Sequence, residues 1–203
     1  MEPSTEVLQQ DQNPTSLRVD FSWKKRKSLV TTEVSLQHDL IFVIDYQAKS
    51  PHLVFTSTAN KSKIGFGNLN LISINADCEV RGKPISLKAT KRFKTNYAYL
   101  SYAFSDNGTP ACMTWITESS SKTWNFICLD PQHDSVAKFS TYFVSLKRVG
   151  RFEFMETKVT NDAARDEIVI TGITVFYCML FRATNPLSLF GSIFLHKDKP
   201  KRS

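Results

Sequence analysis

Polar and apolar residues alternate along most of this chain. Leu17, Val19, Phe21 and Trp23 are interleaved with Arg18, Asp20, Ser22 and Lys24, the two-residue period of a strand buried on one face. The same signal returns near 29–36, 40–47, 52–58, 63–72, 74–81, 84–90, 97–105, 111–118, 124–130, 135–142 and 148–157. The breaks carry turn chemistry, as in Lys49-Ser50-Pro51, Gly82-Lys83-Pro84, Asp106-Asn107-Gly108-Thr109-Pro110 and Asp130-Pro131-Gln132-His133-Asp134. Short strands at such regular spacing predict an all-β barrel or sandwich. Gly65 and Gly67 fall inside one apolar run, which marks a bulge or a close approach of another backbone.

One stretch breaks the pattern. From Ile168 to Phe181 there is no charged residue. Asn161 or Asp162 is placed to cap it, Asp166 and Glu167 lie near its start, Arg182 lies near its end, and Asn185-Pro186 stops it. We read a helix near 162–184. Its β-branched content (Ile168, Val169, Ile170, Thr171, Ile173, Thr174, Val175) disfavours an isolated helix, so burial must hold it. Thr171, Thr174 and Cys178 form a narrow, weakly polar seam, and the rest is apolar all round. Such a helix must be surrounded by protein or by lipid. The run would extend about 21 Å at 1.5 Å per residue, short of the roughly 30 Å hydrocarbon core. A protein surround is favoured, with Ile168, Val169, Ile173, Phe176, Met179 and Leu180 as its core residues.

The two readings then fit together. An eight-stranded barrel has room only for side chains, and a helix is about 10–12 Å across. More strands are needed, as in eleven-stranded cans with a central helix. The chain offers about twelve strands and one such helix. The predicted fold is therefore mainly β: a closed antiparallel barrel of about twelve strands around a central hydrophobic C-terminal helix. It would occupy 17–185, between a polar tail at 1–16 and an apolar-then-basic tail at 186–203.

Composition adds little to the fold and something to the chemistry. With 203 residues, one domain with tails is the default. Cys78, Cys112, Cys128 and Cys178 show no metal-ligand spacing. The first residues lack a basic-then-apolar signal peptide. We expect an intracellular, monomeric protein, cytoplasmic, with peripheral membrane or nuclear placement left open. His38, His52, His133 and His196 are scattered at turns and ends, and no G-x-S-x-G, H-E-x-x-H or phosphate-loop pattern occurs. No enzymatic activity, cofactor or metal is expected. Asp130, His133 and Asp134 share a turn and are read as turn formers rather than cation ligands.

The net charge of +7 favours acidic partners. From Val80 to Ser105 the chain carries Arg81, Lys83, Lys88, Lys91, Arg92 and Lys94 and no acid. These six are the candidate anion-binding residues. Smaller basic clusters lie at Lys24–Lys27 and at Lys197, Lys199, Lys201 and Arg202. A one-signed patch of this kind suits anionic lipid headgroups. Nucleic acid is the weaker partner, and another protein remains a separate reading.

The segment Asp166-Glu167-Ile168-Val169-Ile170-Thr171-Gly172, closing a β-rich domain, resembles the end of the tubby C-terminal-like superfamily. That group also includes phospholipid scramblases and plant LURP-one-related proteins, and the likeness is to a fungal branch. Gly82-Lys83-Pro84-Ile85-Ser86-Leu87-Lys88, Phe126-Ile127-Cys128-Leu129-Asp130 and Val136-Ala137-Lys138-Phe139-Ser140 point the same way. The resemblance covers roughly 30–184 and rests on order and spacing. It implies a twelve-stranded barrel around a hydrophobic helix and phosphoinositide binding by basic residues on the barrel wall. It also leaves open a scramblase-like membrane association through the helix or the 187–195 stretch.

Overall fold

The computed structural model describes residues 15–22, 24–33, 39–70, 74–90, 96–106, 108–119, 123–142 and 148–184. Twelve strands are hydrogen-bonded in one closed ring. They are β1 (Ser16–Ser22), β2 (Lys27–Thr32), β3 (Leu40–Tyr46), β4 (Leu53–Ser57), β5 (Lys63–Leu69), β6 (Ala76–Val80), β7 (Lys83–Ala89), β8 (Tyr97–Asp106), β9 (Thr109–Ser119), β10 (Trp124–Leu129), β11 (Ser135–Thr141) and β12 (Arg148–Phe154). Each pairs antiparallel with its neighbours in sequence. β1 closes the ring by pairing with β2 and β12, so that Leu17 lies between Thr32 and Phe152. Closure leaves no unpaired strand edge.

The helix α1 (Asp162–Thr184) follows β12. Its start is fixed as the sequence suggests. The Asn161 side-chain carbonyl accepts the Ala164 N–H at 2.9 Å, the capping geometry that satisfies an orphan donor of the first turn. From Asp166 to Phe176 every residue is buried. Ile168, Val169, Ile173, Phe176 and Met179 are buried and Leu180 is partly so. The helix touches opposite walls at once. Phe176 packs edge-on against Phe126 of β10 and Phe139 of β11, and Tyr177 meets Tyr46 of β3. It therefore runs inside the barrel. Among the described residues no helix is long and apolar enough to cross a membrane. The tails at 1–14 and 186–203, with the 187–195 stretch, lie outside the described residues.

The helix does not lie on the barrel axis. Inward positions of β5 and β6 include four small residues, Gly65, Gly67, Ala76 and Cys78. Inward positions of β9 to β12 include four large rings, Trp115, Phe126, Phe139 and Phe152, all fully buried. The helix backbone accordingly lies nearest β5 and β6. A Cβ on Gly67 would stand 2.5 Å from the Thr174 hydroxyl, and one on Gly65 would stand 2.8 Å from Ile170 Cδ1. Ile170 and Thr174 are four residues apart and share a helix face. On the opposite face Gly172 makes room for Trp115 and Phe152, each 3.0 Å from where its Cβ would be. Glycine on the strand and glycine on the helix thus fit a wall that is thin on one side and thick on the other.

The polar seam of the helix is fully used. The Thr171 hydroxyl donates to the Glu167 carbonyl at 2.7 Å and accepts from the Trp115 indole N–H at 3.1 Å. The Thr174 hydroxyl donates back to the Ile170 carbonyl at 2.7 Å. Cys178 Sγ lies 3.4 Å from the Tyr97 hydroxyl. No polar atom of the seam is left to cost desolvation free energy.

Candidate functional site

The two mouths of the barrel differ. At the helix C-terminal mouth the ring hydroxyls of Tyr46 and Tyr177 are 2.8 Å apart, and Tyr46 also meets Ser28 at 2.7 Å. Arg182 donates to the Tyr97 hydroxyl at 3.0 Å, placing its charge at the negative end of the helix. At the N-terminal mouth two acids are buried. Asp166 is held by Arg81, with Nη2 at 2.7 Å and Nε at 2.8 Å from Oδ2, and Arg165 lies 3.9 Å from its other oxygen. Glu167 accepts the Ala103 N–H at 3.3 Å.

Burial pushes both carboxyls above the ordinary range. For Asp166 the arginines oppose it. For Glu167 hydrogen bonds from Ser101, Ala103 and Tyr99 and the charge of Lys83 oppose it. A carboxyl raised in the folded state binds its proton more readily there than in the unfolded chain. Its contribution to stability is therefore present at low pH and is lost as pH rises through the raised folded value. Glu167→Gln carries no charge at any pH. We expect it to be more stable than the wild type by about 1 kcal/mol near pH 8, with the gap narrowing as pH falls through the raised folded value and closing below the ordinary glutamate value of about 4.5. Urea midpoints across that range would check both the sign and the closure.

A cleft of about 940 Å³ opens at this mouth beside Asp166. Lys63, Arg81 and Arg165 line it, and so do Asp162 and Asp166. Its cations are largely answered by its own acids: Arg165 reaches Asp162 at 3.0 Å as well as Asp166. At the neighbouring turn Asp130 accepts the Gln132 and Asp134 N–H groups at 3.0 and 2.9 Å, and Lys158 Nζ at 2.5 Å. Its partial burial works against the charge, but these donors prevail and hold the carboxyl below the ordinary range. Asp130 is a turn former, as its sequence context suggests, and its oxygens serve the fold. Among the described residues no group of His, Cys, Asp and Glu is arranged to hold a metal.

The six candidate cations divide. Arg81 sits at the β6–β7 turn with φ 50° and is engaged with Asp166, a partner 85 positions away in sequence. Lys83 and Lys88 are exposed on β7. Lys83 Nζ lies 5.3 Å from the ring centre of Tyr102 on β8, within cation–π range. Lys88 pairs with Ala98, further along the same wall. Lys91, Arg92 and Lys94 lie outside the described residues. Of the Lys24–Lys27 cluster, Lys27 is bound to Asp45 at 2.8 Å.

Sequence reasoning passed over the outer row of β8. Tyr97, Tyr99 and Ser101 point inward and are buried, whereas Leu100 and Tyr102 are 57% and 47% exposed. The strand thus buries its serine and shows its leucine. Tyr97 and Tyr99 set the parity, and Ser101 follows them to the Glu167 carboxylate. The signal in the sequence was a serine standing between two apolar side chains after an inward tyrosine pair. Compared with family models, curated proteins and solved structures, the chain matches none of them.

Proposed function

We propose that this barrel is a non-enzymatic module that docks on an anionic, phosphoinositide-type membrane surface through its β7–β8 wall. The observation that carries the reading is the acid-free stretch from Val80 to Ser105, in which Lys83 and Lys88 stand exposed on one wall. A basic residue held near such a surface contributes about 1 kcal/mol, and the attraction fades beyond about 10 Å at 0.1 M salt. Lys88 faces outward beside inward Leu87, and Lys83, at the mouth end of the strand, brings its ammonium to the outward Tyr102 ring, so both charges meet the outer face. The resemblance to tubby-like proteins supports the same reading. The helix, having its apolar surface covered by the barrel, is not needed as an anchor.

Vesicle sedimentation tests this. Binding is expected with phosphatidylserine or phosphoinositide in the vesicle and not with neutral phosphatidylcholine, and it should weaken as salt rises. Lys83→Glu with Lys88→Glu is expected to lower the affinity at least about tenfold. Far-UV circular dichroism should stay unchanged, because both side chains are exposed. Equal binding to neutral vesicles, or no binding to either kind, would overturn the reading.

A further inference from the structure

We propose that Leu100 and Tyr102 on β8 enter the interfacial layer of the bilayer when the barrel docks, with Lys83 and Lys88 held at the level of the phosphates. This rests on the docking function proposed above and gives it an apolar component.

Three observations converge on this strip. Leu100 and Tyr102 are two residues apart on one strand and so face the same way. They are among the most exposed large apolar side chains of the described residues. Exposed Cys112 of β9 pairs directly with Leu100 and widens the uncharged strip. The cations on its other side stand on strands that carry no acid from Lys83 to Ser105, the nearest outward acids being Asp77 and Glu79 of β6. Finally, the Lys83 ammonium lies over the Tyr102 ring. An ammonium set against an exposed tyrosine ring puts a cation and an amphipathic aromatic side by side, and membrane interfaces are where tyrosine collects.

Size decides between a membrane and a protein as the occupant. A stable protein interface buries about 800 Å² on each partner. Two protruding apolar side chains with two lysines fall well short of that, whereas a bilayer needs only a few side chains to cross its surface layer. The β7–β8 pair itself, cationic and without an acid from Lys83 to Ser105, also matches an anionic headgroup plane.

A label at position 100 tests the proposal. Cys78, Cys128 and Cys178 are buried, so Cys112→Ser leaves no exposed cysteine among the described residues. A fluorophore is placed by Leu100→Cys in that background. The control is Thr31→Cys in the same background, on β2, six strands around the ring. Phosphatidylserine vesicles containing nitroxide-labelled lipid should quench the label at 100 several-fold more than the label at 31. Leu100→Ser with Tyr102→Ser should remove about tenfold of the binding that survives high salt. If the protein sediments with these vesicles but the label at 100 is no more quenched than that at 31, the insertion is refuted and the docking stands. If the protein does not sediment with them, docking itself fails and the insertion falls with it.

Discussion

Trp115→Ala is expected to lower stability by about 4 kcal/mol, from the range for large aromatic side chains removed from a core. Trp115 is fully buried on β9. Its ring fills the space left by Gly172, and its indole N–H donates to Thr171. The substitution therefore empties a large volume and removes a buried hydrogen bond between wall and helix. Collapse cannot refill the space easily. The helix is held on its far side against β5, where Gly65 and Gly67 already sit at contact distance. Trp115→Phe keeps most of the ring and loses the donor, so it should cost about 1–2 kcal/mol. Urea denaturation would check the pair: the midpoint should drop for both, much further for alanine, with the slope unchanged if unfolding stays two-state. Domains of this kind have about 5–15 kcal/mol in all, so the alanine variant would stand close to the edge of folding.

The fold was largely legible because two different periods coexist in one chain. Alternation every second residue marks strands that have an inside and an outside. The uncharged run at Ile168–Phe181 marks an element with no outside at all. Only a closed wall satisfies both, and a wall wide enough for a helix requires more than eight strands. The candidate site was legible in part. Lys83 and Lys88 follow from the charge run because no described carboxylate stands within ion-pair distance of them, although the Lys83 charge is felt by Glu167. Arg81 belongs to the same run, yet its partner Asp166 lies 85 positions on, and no local pattern can report a pair made by threading the helix through the ring. The outward Leu100 and Tyr102 were hidden for a related reason. Parity in a barrel strand is set by what its best-anchored residues must do, here Tyr97 and Tyr99, and a serine required inside drags its apolar neighbours out.

Gly65→Ala carries the second large expected loss, about 3 kcal/mol or more, above the usual cost of overpacking. The reason is what the added methyl meets. Its position lies too close to the Glu79 carbonyl oxygen of β6 for any real Cβ, and it is also 2.8 Å from Ile170 Cδ1. A flexible side chain could turn away, but the carbonyl is part of the β5–β6 ladder, in which Gly65 pairs with Val80. Relief therefore requires β5 to move from β6 or the helix to shift toward Trp115, where there is no room. Gly82→Ala is the informative contrast. Gly82 has φ +79° and nothing within 4 Å of its would-be Cβ, so it costs only the left-handed strain, about 1 kcal/mol. Thermal denaturation should separate the two. A loss of about 1 kcal/mol shifts the midpoint by roughly 2–4 °C for a chain of this size, and Gly65→Ala should move it about three times as far. Equal shifts would mean that neither the β6 carbonyl nor the helix crowds position 65, and that Gly65 is not set by a close approach.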